Sequence, residues 1–230
     1  ITVEARDPGM NRSNVAADLP IALAASPATN FEFFADNQCT TPVGNITLPA
    51  GASQATFYFK GTLAGAVNMT PTSSLTGPGV QVATITPEAA TQLVFATPPR
   101  ASTAGVCSLA IGLQTRDAFG NAAPVAADVT LSLSAVPSGL TFHTDAACGG
   151  AATTTVVVPN GTSVATVYAR GTLAPSYNLT AQAAPVGSAT RGSRASWVGG
   201  CSPRGSHSEN VVPVGAVRTS MWPWCWVTTP

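Results

Sequence analysis

The sequence predicts an all-β protein built as tandem immunoglobulin-like antiparallel β-sandwiches, and three observations carry that expectation. Charged residues make up only 9% of the 230, while Thr, Ser, Ala, Gly and Val dominate, a bias towards small and β-branched side chains that suits strands and turns rather than helices. Alternating apolar runs recur at the roughly 8 to 12 residue spacing of a sandwich, each bounded by turn residues. The chain also repeats itself. Arg116-Asp117, Asn121, Val125-Ala126-Ala127-Asp128 and the inward set Val129, Leu131 and Leu133 return 110 residues earlier as Arg6-Asp7, Asn11, Val15-Ala16-Ala17-Asp18 and Leu19, Ile21 and Leu23.

The second copy shows the elements in order. Gln92 to Phe95 is a first short strand, stopped by Pro98-Pro99, and Cys107 to Leu113 is the second. A polar turn over Arg116 to Ala123, containing Gly120-Asn121, leads into Val129 to Leu133, where Thr130 and Ser132 face away from the core. Leu140 to Phe142 is a further strand ending near Asp145 and Cys148, and Thr153 to Val158 is another. Pro159-Asn160-Gly161 is a tight turn, since Asn-Gly tolerates positive φ, into Ser163 to Ala169. Tyr177 to Ala181 closes a unit of about seven strands.

The first copy has the same parts from its second strand onward. Residues 49–64, PAGASQATFYFKGTLA, and 159–174, PNGTSVATVYARGTLA, agree at ten of sixteen positions. Cys39 matches Cys148 and Asp36 matches Asp145 with a one-residue slip, whereas the slot of Cys107 falls ahead of Ile1. The expected division is therefore 1–88, an Ig-like domain lacking its N-terminal strand; 89–196, a complete one; and 197–230, an irregular tail. That tail holds all four tryptophans, including Met221-Trp222-Pro223-Trp224-Cys225-Trp226; it reads as loosely packed chain, with aromatic docking or lipid contact the sharper alternative.

The stretches RDAFGNAAPVAADVTLSL and PNGTSVATVYARGTLAPSYNLTAQA resemble the bacterial Ig-like (Big-like) domains of the invasin and intimin type, in which an Asp-x-x-Gly-Asn turn precedes a β-branched strand. The resemblance covers residues 1 to about 183, although the first copy's turn reads Asp7-Pro8-Gly9-Met10-Asn11. It implies a non-enzymatic module, strung in arrays on bacterial surface proteins as a spacer or adhesive stalk. The expected function is accordingly structural or adhesive, the alternative being an accessory module of a secreted hydrolase.

Candidate chemistry is sparse. Gly51-Ala52-Ser53 and Gly161-Thr162-Ser163 resemble the start of a nucleophile elbow, but Ala55 and Ala165 replace its final Gly and the context is turn to strand. Only His143 and His207 could serve as a base, and His143 takes the slot of Phe34, a packing position. Asp117, Asn121 and Asp128, mirrored by Asp7, Asn11 and Asp18, could place oxygens on Ca²⁺, yet six to eight ligands are needed and such residues more often cap turns. No enzyme, no cofactor and no metal site is expected. Five Asn-x-Ser/Thr sequons stand at Asn11, Asn45, Asn68, Asn160 and Asn178.

Ten basic and ten acidic residues cancel without clustering, so nucleic-acid and anionic-membrane partners are not expected. No apolar run approaches the roughly 18 residues of a membrane helix. Partners would be an unknown protein or glycan, or neighbouring repeats. The chain opens at Ile1 without a leader-like pattern, as a mature or excised segment would. Five cysteines without a Cys-x-x-Cys pair point to an extracellular or cell-surface setting. Cys107 and Cys148, at the ends of two strands of one sandwich, are expected to form a disulfide and to leave Cys39 unpaired. Because the first copy lacks the equivalents of residues 90–110, its domain should be the less stable, or be completed by another chain.

Overall fold

The computed structural model describes residues 1–191 except 76, 78, 174, 185 and 186; the expectations for the tail over 197–230, and for His207 within it, lie outside the described residues. Sixteen strands follow one another: β1 (Thr2–Glu4), β2 (Leu19–Ser26), β3 (Phe31–Phe34), β4 (Asn45–Leu48), β5 (Gln54–Thr56), β6 (Tyr58–Gly61), β7 (Gly65–Thr72), β8 (Gln81–Ile85), β9 (Gln92–Phe95), β10 (Ile111–Arg116), β11 (Val129–Val136), β12 (Leu140–His143), β13 (Thr155–Val158), β14 (Val164–Gly171), β15 (Asn178–Ala183) and β16 (Gly187–Arg191). All pair antiparallel and no helix occurs among the described residues.

The second sandwich faces sheet β12-β14-β10-β9 with sheet β13-β11-β15-β16. Counted along the unit these are strands 4-6-2-1 and 5-3-7-8, two four-stranded antiparallel sheets packed as an Ig-like sandwich. Alternation sets the facing. Leu131 and Leu133 of β11 are buried while Ser132 and Ser134 are exposed, and Leu113, Val158, Val167 and Tyr177 meet them in one continuous core. The unit has eight strands rather than the seven expected, because β16, a Ser/Thr-bearing run with little apolar pattern, extends the sheet beyond β15.

The first sandwich repeats sheet two as β4-β2-β7-β8 and builds sheet one from β3-β6 and β1-β5. Its loops repeat the hydrogen bonds of the second as well. Val15 and Val125 donate to Ala52 and Thr162 at 2.9 Å, Gly51 and Gly161 donate back to Val15 and Val125 at 2.8 Å, and both glycines hold φ near +78°, at 79° and 76°, where a Cβ would be strained. The glycine of the repeated Gly-Thr-Leu-Ala has another cause. A Cβ on Gly61 would lie 3.0 Å from Ile85 and 3.1 Å from Phe31, and one on Gly171 would lie 3.2 Å from Leu140.

Two differences follow from particular residues. The strand that is continuous as β14 is interrupted in the first sandwich at Phe57, whose ring, 1% exposed, sits edge-on to Phe33 at 5.6 Å. The second expected strand, Cys107 to Leu113, begins only at Ile111. Ser108 still exchanges bonds with Ala169, its N–H donating to the carbonyl at 2.8 Å and its Oγ accepting the amide at 2.9 Å. Ile111 pairs with Val167, so the register slips by one residue between them, a bulge that leaves Leu109 68% exposed.

Candidate functional site

Every loop carboxylate that sequence reasoning singled out is engaged by backbone or amide donors. Asp117, 0% exposed, accepts from the Phe119 and Asn121 N–H groups on Oδ1 at 2.9 Å each, and from Asn121 Nδ2 and the Glu88 N–H on Oδ2 at 2.8 and 3.1 Å. Burial pushes this carboxyl up, but the Asn121 side chain and the surrounding amides outweigh it and hold it below the usual carboxylate range. Asp128 and Asp18 each accept one amide across the sandwich, from Asn160 and Ala50 at 2.8 Å. Asp145 collects Gly149, Gly150 and Ala147 N–H groups, chiefly the first two, which lower its pKa. Asp36 does the same with Gln38, Thr40 and Thr41; burial opposes, and the amides of Thr40 and Thr41 prevail. Asp117, Asp145 and Asp36 thus cap their own turns, Asp18 and Asp128 instead hold a turn distant in sequence, and no group of three potential metal ligands occurs among the described residues.

His143 is buried, as a packing slot requires, and it is also tied: Nδ1 lies 3.1 Å from the Gly150 carbonyl and Nε2 lies 3.1 Å from Thr141 Oγ1. A carbonyl can only accept, so Nδ1 carries a hydrogen. Ser53 and Ser163 stand in half-buried turn-to-strand positions, their carbonyls accepting the amides of Ala5 and Thr115. Of the sequons, Asn68 and Asn178 lie exposed within β7 and β15, and Asn160 in the turn before β14.

Cys107 and Cys148 form a disulfide, S–S 2.02 Å and Cα–Cα 5.6 Å, closing a separation of 41 residues. It pins the irregular segment ahead of β10 to the loop after β12. Cys39 is a free thiol, half-buried, in a loop of the same shape: φ is 54° at Cys39 and 48° at Cys148.

Sequence reasoning missed what Asn121 does. Its Oδ1 accepts the Ala64 N–H at 2.8 Å and its Nδ2 donates to the Thr62 carbonyl at 2.8 Å, so one amide side chain holds the Thr62–Ala64 loop of the first sandwich through two bonds. With Glu88 N–H on Asp117, the Asp-x-x-Gly-Asn turn grips both the loop and the linker. The signal was the turn itself, repeated beside a repeated Gly-Thr-Leu-Ala; spacing along the chain does not reveal that the two meet. Asp7 and Asn11, the same pair in the first sandwich, bond each other, Oδ1 of Asp7 accepting the Asn11 N–H at 2.9 Å. Nearby, Glu4 bonds Arg6 at 2.9 Å and also Arg12, and the two guanidiniums, Arg6 foremost, lower its pKa.

No protein-family model matches the chain, and no characterised protein matches it in sequence. Solved structures do. The Yersinia pseudotuberculosis adhesin InvE matches at 14% identity over 83% of this chain and 51% of its own, TM-score 0.33. The D0-D1 domain of intimin matches at 12% over 82% and 85%, TM-score 0.29, and a β-glycosidase from Bacteroides vulgatus at 14% over 83% and 24%, TM-score 0.36. The chain spans about a quarter of that glycosidase and half of the adhesin. With every TM-score below 0.5, these likenesses add nothing to the strand order and register described above.

Proposed function

We propose that this chain is a non-catalytic structural module of a bacterial extracellular or cell-surface protein, two Ig-like units of a stalk or adhesive array coupled end to end. The observation that carries the reading is the joint: Asn121 commits its buried side-chain amide to the neighbouring unit's backbone, two bonds that a free-standing domain has no use for, while Asp117 beside it holds the linker amide of Glu88. Such bonds are worth about 1 kcal/mol each, and more where a charged carboxylate accepts. The Cys107–Cys148 disulfide supports an oxidising location.

Pulling the chain by its ends in a single-molecule force experiment tests this. A spacer gives two discrete unfolding events, the second sandwich yielding at the higher force until its disulfide is reduced. Saturable, millimolar-or-tighter binding of a polysaccharide fragment, combined with unfolding at low force, would instead assign the chain to a hydrolase's accessory modules.

A further inference from the structure

The second sandwich sets its first and last strands where a pull along the chain loads them lengthwise. β9 starts beside the end of β10, Gln92 against Arg116, and runs away from the joint to Phe95 against Leu113. β16 starts at the same end: Gly187 pairs with Ala183, next to Gln182, which lies opposite Ser132 in the first half of β11. It finishes at Arg191 opposite Leu179. The two strands therefore run the same way, and Leu93 of one shares a buried cluster with Ala189 of the other. Tension that enters through the linker at Glu88 and leaves past Arg191 draws them in opposite directions, across ladder bonds that stand perpendicular to the strands, so those bonds carry the load together. Behind β9 the chain is fastened again. Arg100 Nε donates to the Ala110 carbonyl at 3.0 Å, Gly105 N–H to that of Gly171 at 2.7 Å and Ser108 N–H to that of Ala169 at 2.8 Å. Between the last two bonds stands Cys107, half-buried and joined to Cys148, which is 3% exposed.

We propose that this sandwich is a tension-gated redox switch that sets how far the chain extends, an inference that rests on the load-bearing role proposed for the module. While the fold is intact, Cys148 is buried and Cys107 is pinned between two backbone bonds, so a thiolate is kept from the sulfur it must reach for exchange. When load strips β9 and the segment through Val106, tension passes from Cys107 across the S–S bond to Cys148. It bypasses residues 108–147, which carry β10, β11 and β12. The chain halts at an intermediate length with its disulfide uncovered. A dithiol from solution completes the release: its thiolate attacks one sulfur and displaces the other, and its second thiol then closes on the mixed disulfide, so the protein gains two thiols and the reductant becomes a cyclic disulfide. The separation of 41 residues then joins the load path and lengthens the chain by roughly 140 Å, at an extended reach of about 3.4 Å per residue.

The test holds the whole chain by its ends at constant force, with and without dithiothreitol. Without the reductant the second sandwich should give one step and no later lengthening. With it, the same step should be followed by a second of roughly 140 Å, after a delay that shortens in proportion to dithiothreitol concentration. Cys107→Ser together with Cys148→Ser should merge the two into one long step that ignores the reductant. Chain kept unloaded in dithiothreitol for the same time and then pulled should still show the short step first. A single long step from the oxidised parent, a delayed step in the double variant, or full reduction of the unloaded chain over that time would each overturn the switch. If neither sandwich resists force, the load-bearing role falls and the switch with it; steps of unchanged length with and without reductant sink the switch alone.

Discussion

Asp117 shows how one side chain links a turn, a joint and a pH dependence. Its pKa in the folded chain is depressed, so its contribution is fully present above the unfolded carboxyl value of 3.8 and is lost as pH falls through the folded value. Asp36 and Asp145 act in the same direction. Stability should therefore fall as the pH drops below about 4, and Asp117→Asn should flatten part of that fall, which urea midpoints measured through the acid range would show. A slope unchanged by the substitution would remove Asp117 from the account. At Gly61 the prediction is steric: Gly61→Ala forces a methyl against Ile85 and Phe31 and should cost about 1–3 kcal/mol, read from chemical denaturation at constant m-value.

Among the elements, β9 separates the two sandwiches: it pairs with the outer edge of β10, whereas among the described residues no strand pairs with the corresponding edge of β1. Sixteen buried residues form one cluster in the second, while the first divides its core into a group of five around Phe57 and one of four around Leu48, among the described residues. Ile111 is 4% exposed and its equivalent Ile1 is 37%. Native-state hydrogen exchange should therefore be faster over Ser53 to Phe59 than over Ser163 to Ala169 in dilute protein; equal protection would mean the open edge carries no penalty. The disulfide widens the gap, and its 41-residue loop is worth roughly 4 kcal/mol, so Cys107→Ser together with Cys148→Ser should bring the second unfolding transition towards the first. Strands with strong alternation, such as β11, were legible in the sequence because one face is buried and the other wet. β16 lacks that contrast, and the start of β10 is obscured by a bulge whose geometry depends on the partner strand.

At the scale of the molecule, the joint is a polar clamp that no reading of local pattern could place, because Asn121 meets Thr62 and Ala64 only after both units have folded. Asn121→Ala removes both of its bonds and should free the sandwiches to reorient; residual dipolar couplings would then report two alignment tensors where the parent chain gives one, while each unit keeps its own melting transition. The clamp is made from a turn and a loop that both units carry at a constant offset of 110 residues. Unequal exchange between the two stretches of the gene would thus insert or delete whole units in frame, with matching contact surfaces already encoded at each new boundary. The length of such a protein can drift by copy number while the chemistry of its connections stays fixed.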